Sequence, residues 1–136
     1  MSEPPDLQSD VGAWIKKAEH DLINAEHTLT MGADCPYDTV CFHGQQCVEK
    51  YLKAYLVYRG IDFPKVHDIR PLMQLVPSDA RLGLELAEVI VVNRFIQGTR
   101  YPGDWEEFGR QDADEAVVIA RKVRAAVRAR LPWHMS

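Results

Sequence analysis

At 136 residues, 46% hydrophobic and 26% charged, the chain is long enough for one domain that buries about two thirds of the surface its unfolded form exposes. A net charge of −4 excludes a protein that holds long nucleic acid by bulk charge, which takes a basic face or stripe. No apolar run reaches the roughly 18 residues of a membrane span, and the acidic, proline-bearing start MSEPPDLQSD is no signal peptide, so the expected location is the cytoplasm.

Residues 1–10 read as a flexible N-terminus, 11–131 as a single helical domain and 132–136 as a C-terminal tail. Asp10 can cap a first helix in which Val11, Trp14, Ile15, Ala18, Leu22, Ala25 and Leu29 recur at steps of three and four, the spacing that gathers apolar side chains on one face. Gly32 and the Asp34-Cys35-Pro36 turn end it. A second helix runs from about Tyr37 to Arg59 and closes at Gly60. It is apolar nearly all round except at Gln46, Glu49, Lys50 and Lys53, which places it in the middle of a bundle with a polar strip facing solvent, a cleft or another subunit.

Beyond the Phe63-Pro64 loop, Asp68 can cap a short third helix that Pro77 stops. Ser78 or Asp79 can cap a fourth segment, along one side of which lie Leu82, Leu86, Val89, Ile90 and Asn93. Asp112 and Glu115 have capping-box spacing, and Ala116, Ile119, Ala120, Val123, Ala126, Val127 and Leu131 form the stripe of a fifth helix that Pro132 terminates. With no alternating strand pattern, the expected fold is all-α: an antiparallel up-and-down bundle of four long helices and one short one.

Phosphate-binding glycine loops, a nucleophile elbow and an HExxH helix are absent from the sequence, and no cofactor or metal is expected. Cys35, Cys41 and Cys47 fit neither a CxxC pair nor a zinc spacing and read as buried thiols. His20 and His27 read as solvated, His43 as a core histidine, and His67 as a residue that ties two helices together at a helix start. Glu49 and Lys53, four apart in the favourable order, suit a surface ion pair on their helix worth a few tenths of a kcal/mol. The stretch NRFIQGTRYPGDW is different in kind, placing Arg94, Arg100 and Tyr101 where the fourth helix runs out at Pro102-Gly103. Arginines at that point suit either pairing with Asp104, Glu106 or Glu107, or a phosphate site shared with Lys50 or Lys53 of the second helix.

FHGQQCVEKYLKAYLVYRG, then HDI opening a short helix, then NRFIQGTRYPGDW resemble the HEPN domain family over roughly Trp14 to Leu131. The resemblance implies an antiparallel helical bundle that forms a homodimer and, in bacteria, partners a minimal nucleotidyltransferase in toxin–antitoxin fashion. Many members are metal-independent ribonucleases with an Arg-x(4–6)-His motif at the end of the penultimate helix. Counted from Arg94, that spacing ends on Thr99, Arg100 or Tyr101, so the histidine is missing, and arginine, always protonated, cannot replace it as a base. Arg128 and His134 match the bare spacing by chance, with Pro132 between them. The expectation is therefore a non-catalytic module that binds nucleotide or an RNA end through Lys50, Lys53, Arg94 and Arg100, with Gln46, Glu49 and Asp68 as structural polar groups. Tyr101 stands where some paired members carry a tyrosine that the nucleotidyltransferase adenylates. The rival expectations are a divergent ribonuclease using His67 or His43, and a pure assembly module without a ligand.

Overall fold

The computed structural model describes residues 6–96 and 101–133. Its α-helices are α1 (Leu7–Leu29), α2 (Tyr37–Tyr58), α3 (Ile69–Leu75), α4 (Leu86–Asn93) and α5 (Arg110–Ala129), with single 3-10 turns at Gly32–Asp34, Ser78–Ala80 and Pro102–Asp104. The described residues contain no strand. Helix α2 is the central rod, packed mainly against α1 and α5. Its Cys47, Val48, Tyr51, Leu52, Tyr55 and Leu56 are buried among Val11, Ile15, Ala18 and Leu22 of α1 and Ile119, Ala120, Val123 and Val127 of α5. Ile69 and Leu72 of α3, with Val89 and Val92 of α4, close the same core. Each such aliphatic side chain contributes about 1.5–3 kcal/mol by leaving water.

A smaller core lies toward the N-terminal end of α2: Val40 and Cys41 meet Ala25, Cys35, Phe95, Phe108, Ala113 and Ala116. Gly44 lets α5 approach there, since a Cβ built on it would stand 2.9 Å from the Cβ of Ala116. Burial, helped by the carboxylates of Asp112 and Asp38, pushes the Cys41 thiol up to about 12, so it stays protonated and unreactive at neutral pH.

The five helices occupy the predicted order, with informative differences at their ends. α1 begins at Leu7 with Asp6 at its cap, leaving Asp10 in the first turn, where the helix dipole favours a carboxylate. α2 closes as expected at Gly60, whose φ of 71° is the left-handed conformation glycine adopts without penalty. The N–H of Ile61 donates back to the Leu56 carbonyl at 2.9 Å, completing a Schellman cap. α5 starts at Arg110, and Asp112 acts as the back-bonding member of its cap, accepting the Gly109 N–H at 3.0 Å.

The fourth segment is eight residues long, so the bundle has three long helices and two short ones instead of four and one. Ser78 and Asp79 open only a 3-10 turn. It breaks at Arg81, whose φ of 50° is left-handed, and the Arg130 side chain donates to the Ala80 and Arg81 carbonyls and holds that break. α4 then nucleates afresh at Glu85, whose N–H donates to the Glu88 carboxylate at 2.9 Å.

Candidate functional site

The polar strip of α2 is largely internal. Gln46, Glu49 and Lys53 are buried beneath the 63–68 connection rather than facing solvent or a cleft. What makes this tolerable is mutual neutralisation: Lys53 Nζ donates to Glu49 Oε2 at 2.9 Å and to the Val66 carbonyl at 3.0 Å, and sits 5.5 Å from the Trp14 ring centroid. The other carboxylate oxygen of Glu49 lies 2.8 Å from Nδ1 of His67, whose side chain remains 68% exposed. Gln45 donates to the His67 carbonyl at 2.8 Å, so three α2 residues grip the connection that leads into α3.

Asp68 caps α3 as predicted, accepting the Arg70 N–H at 2.9 Å. It also accepts Nδ2 of Asn93 at 2.8 Å, while Asn93 Oδ1 accepts the Ile69 N–H at 2.9 Å. The two hydrogen bonds of Asn93 therefore lock the last residue of α4 to the first turn of α3. The Arg70 guanidinium, together with these bonds, holds the Asp68 carboxyl below its ordinary range against a partial desolvation penalty.

Lys50 takes a separate partner. Its Nζ lies 2.6 Å from Asp21 Oδ2, while Asp21 Oδ1 lies 2.8 Å from His43 Nδ1. Asp21 is the residue the sequence reading missed. It follows Ala18 by three and precedes Ala25 by four, so a lone acid standing in the buried register of α1 was the available signal.

Arg94 forms the C-cap of α4. Its guanidinium reaches Glu106 at 3.1 Å and Asp112 at 3.8 Å and stands 5.7 Å from the Phe108 ring centroid. Phe108 in turn meets Phe95 edge to face at 4.9 Å, so the cation rests on the smaller core. Lys50, Lys53 and Arg94 thus each engage a carboxylate, of Asp21, Glu49 and Glu106 respectively, and Arg100 lies outside the described residues. His134 lies outside them as well. Tyr101 is extended at φ −74° and ψ 150°, the geometry that a following proline imposes, and is 81% exposed. Trp105, 53% exposed, stands just past the 3-10 turn.

Set against known proteins, residues 11–130 match the family model for the HEPN domain. The chain belongs to the HEPN domain family. Its fold is similar to the crystal structure of ST0689, an archaeal HEPN homologue, at a TM-score of 0.68 and 30% identity, covering 88% of this chain and 95% of that one. It is also similar to the crystal structure of TT1696 from Thermus thermophilus, at a TM-score of 0.71 and 28% identity over 89% and 98% of the two chains. The toxin candidate MJ1304 of Methanocaldococcus jannaschii is 29% identical over 85% of this chain and 84% of its own length. Within this HEPN domain, the α2 ion pairs and the Asp68–Asn93 lock fix the end of α4, from which the Arg94–Trp105 connection departs. No described helix is long and apolar enough to cross a membrane, and no described His, Cys, Asp or Glu cluster suits a metal.

Proposed function

We propose that this HEPN protein is the non-hydrolytic half of a toxin–antitoxin-like pair whose other half is a minimal nucleotidyltransferase, and that Tyr101 is the group the partner modifies. The observation that carries the reading is the presentation of Tyr101: extended, 81% exposed, and directly preceding a proline-led 3-10 turn. In the step proposed, the phenol oxygen attacks the α-phosphorus of a nucleoside triphosphate held by the partner. The new O–P bond replaces the bond to pyrophosphate, which leaves, and the phenol proton passes to a base of the partner. The nucleotide arrives as the partner's substrate, because Lys50, Lys53 and Arg94 each already hold a carboxylate. The toxin designation of MJ1304 supports a pair of this kind.

A second reading has its own observation. His43 and His67 each have Nδ1 at 2.8 Å from a carboxylate, the arrangement that fixes an imidazole tautomer and frees Nε2 for proton transfer. Incubation with single-stranded RNA and transfer RNA separates the two. The purified protein is expected to cleave neither above the level of an Arg94→Ala control. Cleavage that disappears in His67→Ala or His43→Ala would make the chain a ribonuclease and overturn the non-hydrolytic reading.

A further inference from the structure

Beside Tyr101 runs a groove of about 460 Å³ between the start of α2 and the connection into α5, walled by Tyr37, Trp105 and Phe108 and edged by Asp38, Glu106 and Glu107. Aromatic faces alternating with carboxylates suit one kind of guest. A guanidinium or ammonium stacks on the ring quadrupole and pairs with the acids, whereas a phosphate would meet repulsion from Asp38 and Glu107.

The chain already shows this chemistry at the groove's inner wall, where Arg94 stands over Phe108 and pairs with Glu106. Asp38 and Glu107 make no ion pair among the described residues. Two carboxylates beyond the one that Arg94 engages therefore edge a groove that the half-exposed Trp105 also lines. Pro102 both lines the groove and follows Tyr101, so a segment lying in the groove passes one residue along the chain from Tyr101.

We propose that this acidic, aromatic groove is the docking site for an arginine-bearing segment of the nucleotidyltransferase, which brings Tyr101 to the partner's nucleotide. The inference rests on the pairing proposed above but concerns a different step, recognition instead of transfer. Specificity comes from charge: the groove rejects free nucleotide and admits a basic chain, so the nucleotide enters only with the protein that carries it.

The test uses the full chain and an acetylated tetra-arginine peptide as the probe, read by the indole N–H resonance of Trp105, assigned through Trp105→Phe. Tetra-arginine is expected to shift that resonance saturably, with Trp14 and Trp133 unmoved. Tetra-glutamate and adenosine monophosphate should leave all three in place. Asp38→Asn with Glu107→Gln, both exposed isosteric changes, should weaken the peptide by about tenfold, and the charge reversals Asp38→Lys with Glu107→Lys should abolish the shift. No shift with tetra-arginine, an equal shift with tetra-glutamate, or undiminished binding in the folded double variants would overturn the proposal. A shift with adenosine monophosphate alone would assign the groove to nucleotide and overturn it equally. None of these results depends on Tyr101 being modified, so the groove and the modification stand or fall separately.

Discussion

Glu19 is one of three carboxylates among the described residues, with Asp68 and Glu88, that the fold holds below their ordinary pKa. Its carboxylate lies in the α1–α2–α5 seam, where burial alone would raise its pKa. Hydrogen bonds from the Tyr51 hydroxyl and Arg124, and the charges of Arg124 and Arg128, outweigh that penalty and lower it. Asp68 is lowered too, through Arg70 first. A carboxylate whose folded pKa is depressed contributes stability that is present above its unfolded value and is lost as pH falls through the folded value. Unfolding free energy from urea titration should therefore be flat near neutrality and decline below about pH 4.5, the ordinary glutamate value. Glu19→Gln should cost about 1.5–3 kcal/mol at neutral pH, the range for hydrogen bonds to a charged group, and should flatten the acid limb. A variant whose curve runs parallel to the parent's in acid would show that Glu19 is not the titrating group. At this scale the sequence was readable wherever the partner is local. Asp68 capping α3 and Glu49 pairing with Lys53 follow from spacing alone, as does the extended backbone of Tyr101. The pairings of Asp21 and Glu19 were not readable, because their partners stand on other helices: His43 and Lys50 for one, Tyr51, Arg124 and Arg128 for the other.

Among the elements, the three long helices were legible because each carries an apolar stripe and identifiable ends. The short fourth was overextended because Leu82 lies in register with the helix that follows, and nothing local announces the left-handed Arg81 that breaks the chain before it. That break depends on Arg130, about fifty residues away in sequence, which periodicity cannot see. The burial of the α2 strip was hidden for a related reason: its cover, the 63–68 connection, has no period of its own. Gly44 tests the central crossing. In an isolated helix, alanine is favoured over glycine by about 1 kcal/mol. Here the new Cβ would meet Ala116 Cβ at 2.9 Å and its backbone carbonyl at 3.2 Å. Gly44→Ala should therefore destabilise by about 1–3 kcal/mol, as overpacking does, with a matching fall in melting temperature. A stabilised variant would mean that α2 and α5 are not held at the separation described.

At the scale of the whole molecule, the outer side of α4 is an apolar surface that the fold leaves uncovered. Leu86 is 69% and Ile90 54% exposed, one turn apart, beside a groove of about 270 Å³ lined by Met73, Leu84 and Val89. A homodimer formed through that face is the predicted assembly: light scattering at micromolar concentration should return twice the chain mass, falling to a monomer in Leu86→Asp with Ile90→Asp. A parent that scatters as a monomer throughout removes the dimer from the account. The central claim is narrower, the proposal that Tyr101, held extended before the Pro102–Asp104 turn, is presented to a nucleotidyltransferase. Co-expression with a minimal nucleotidyltransferase, followed by intact-mass and peptide mass spectrometry, tests it most directly. One or more nucleotidyl additions on the peptide that contains Tyr101, absent in Tyr101→Phe, is the predicted result; an unchanged mass, or an addition that survives Tyr101→Phe, would contradict it.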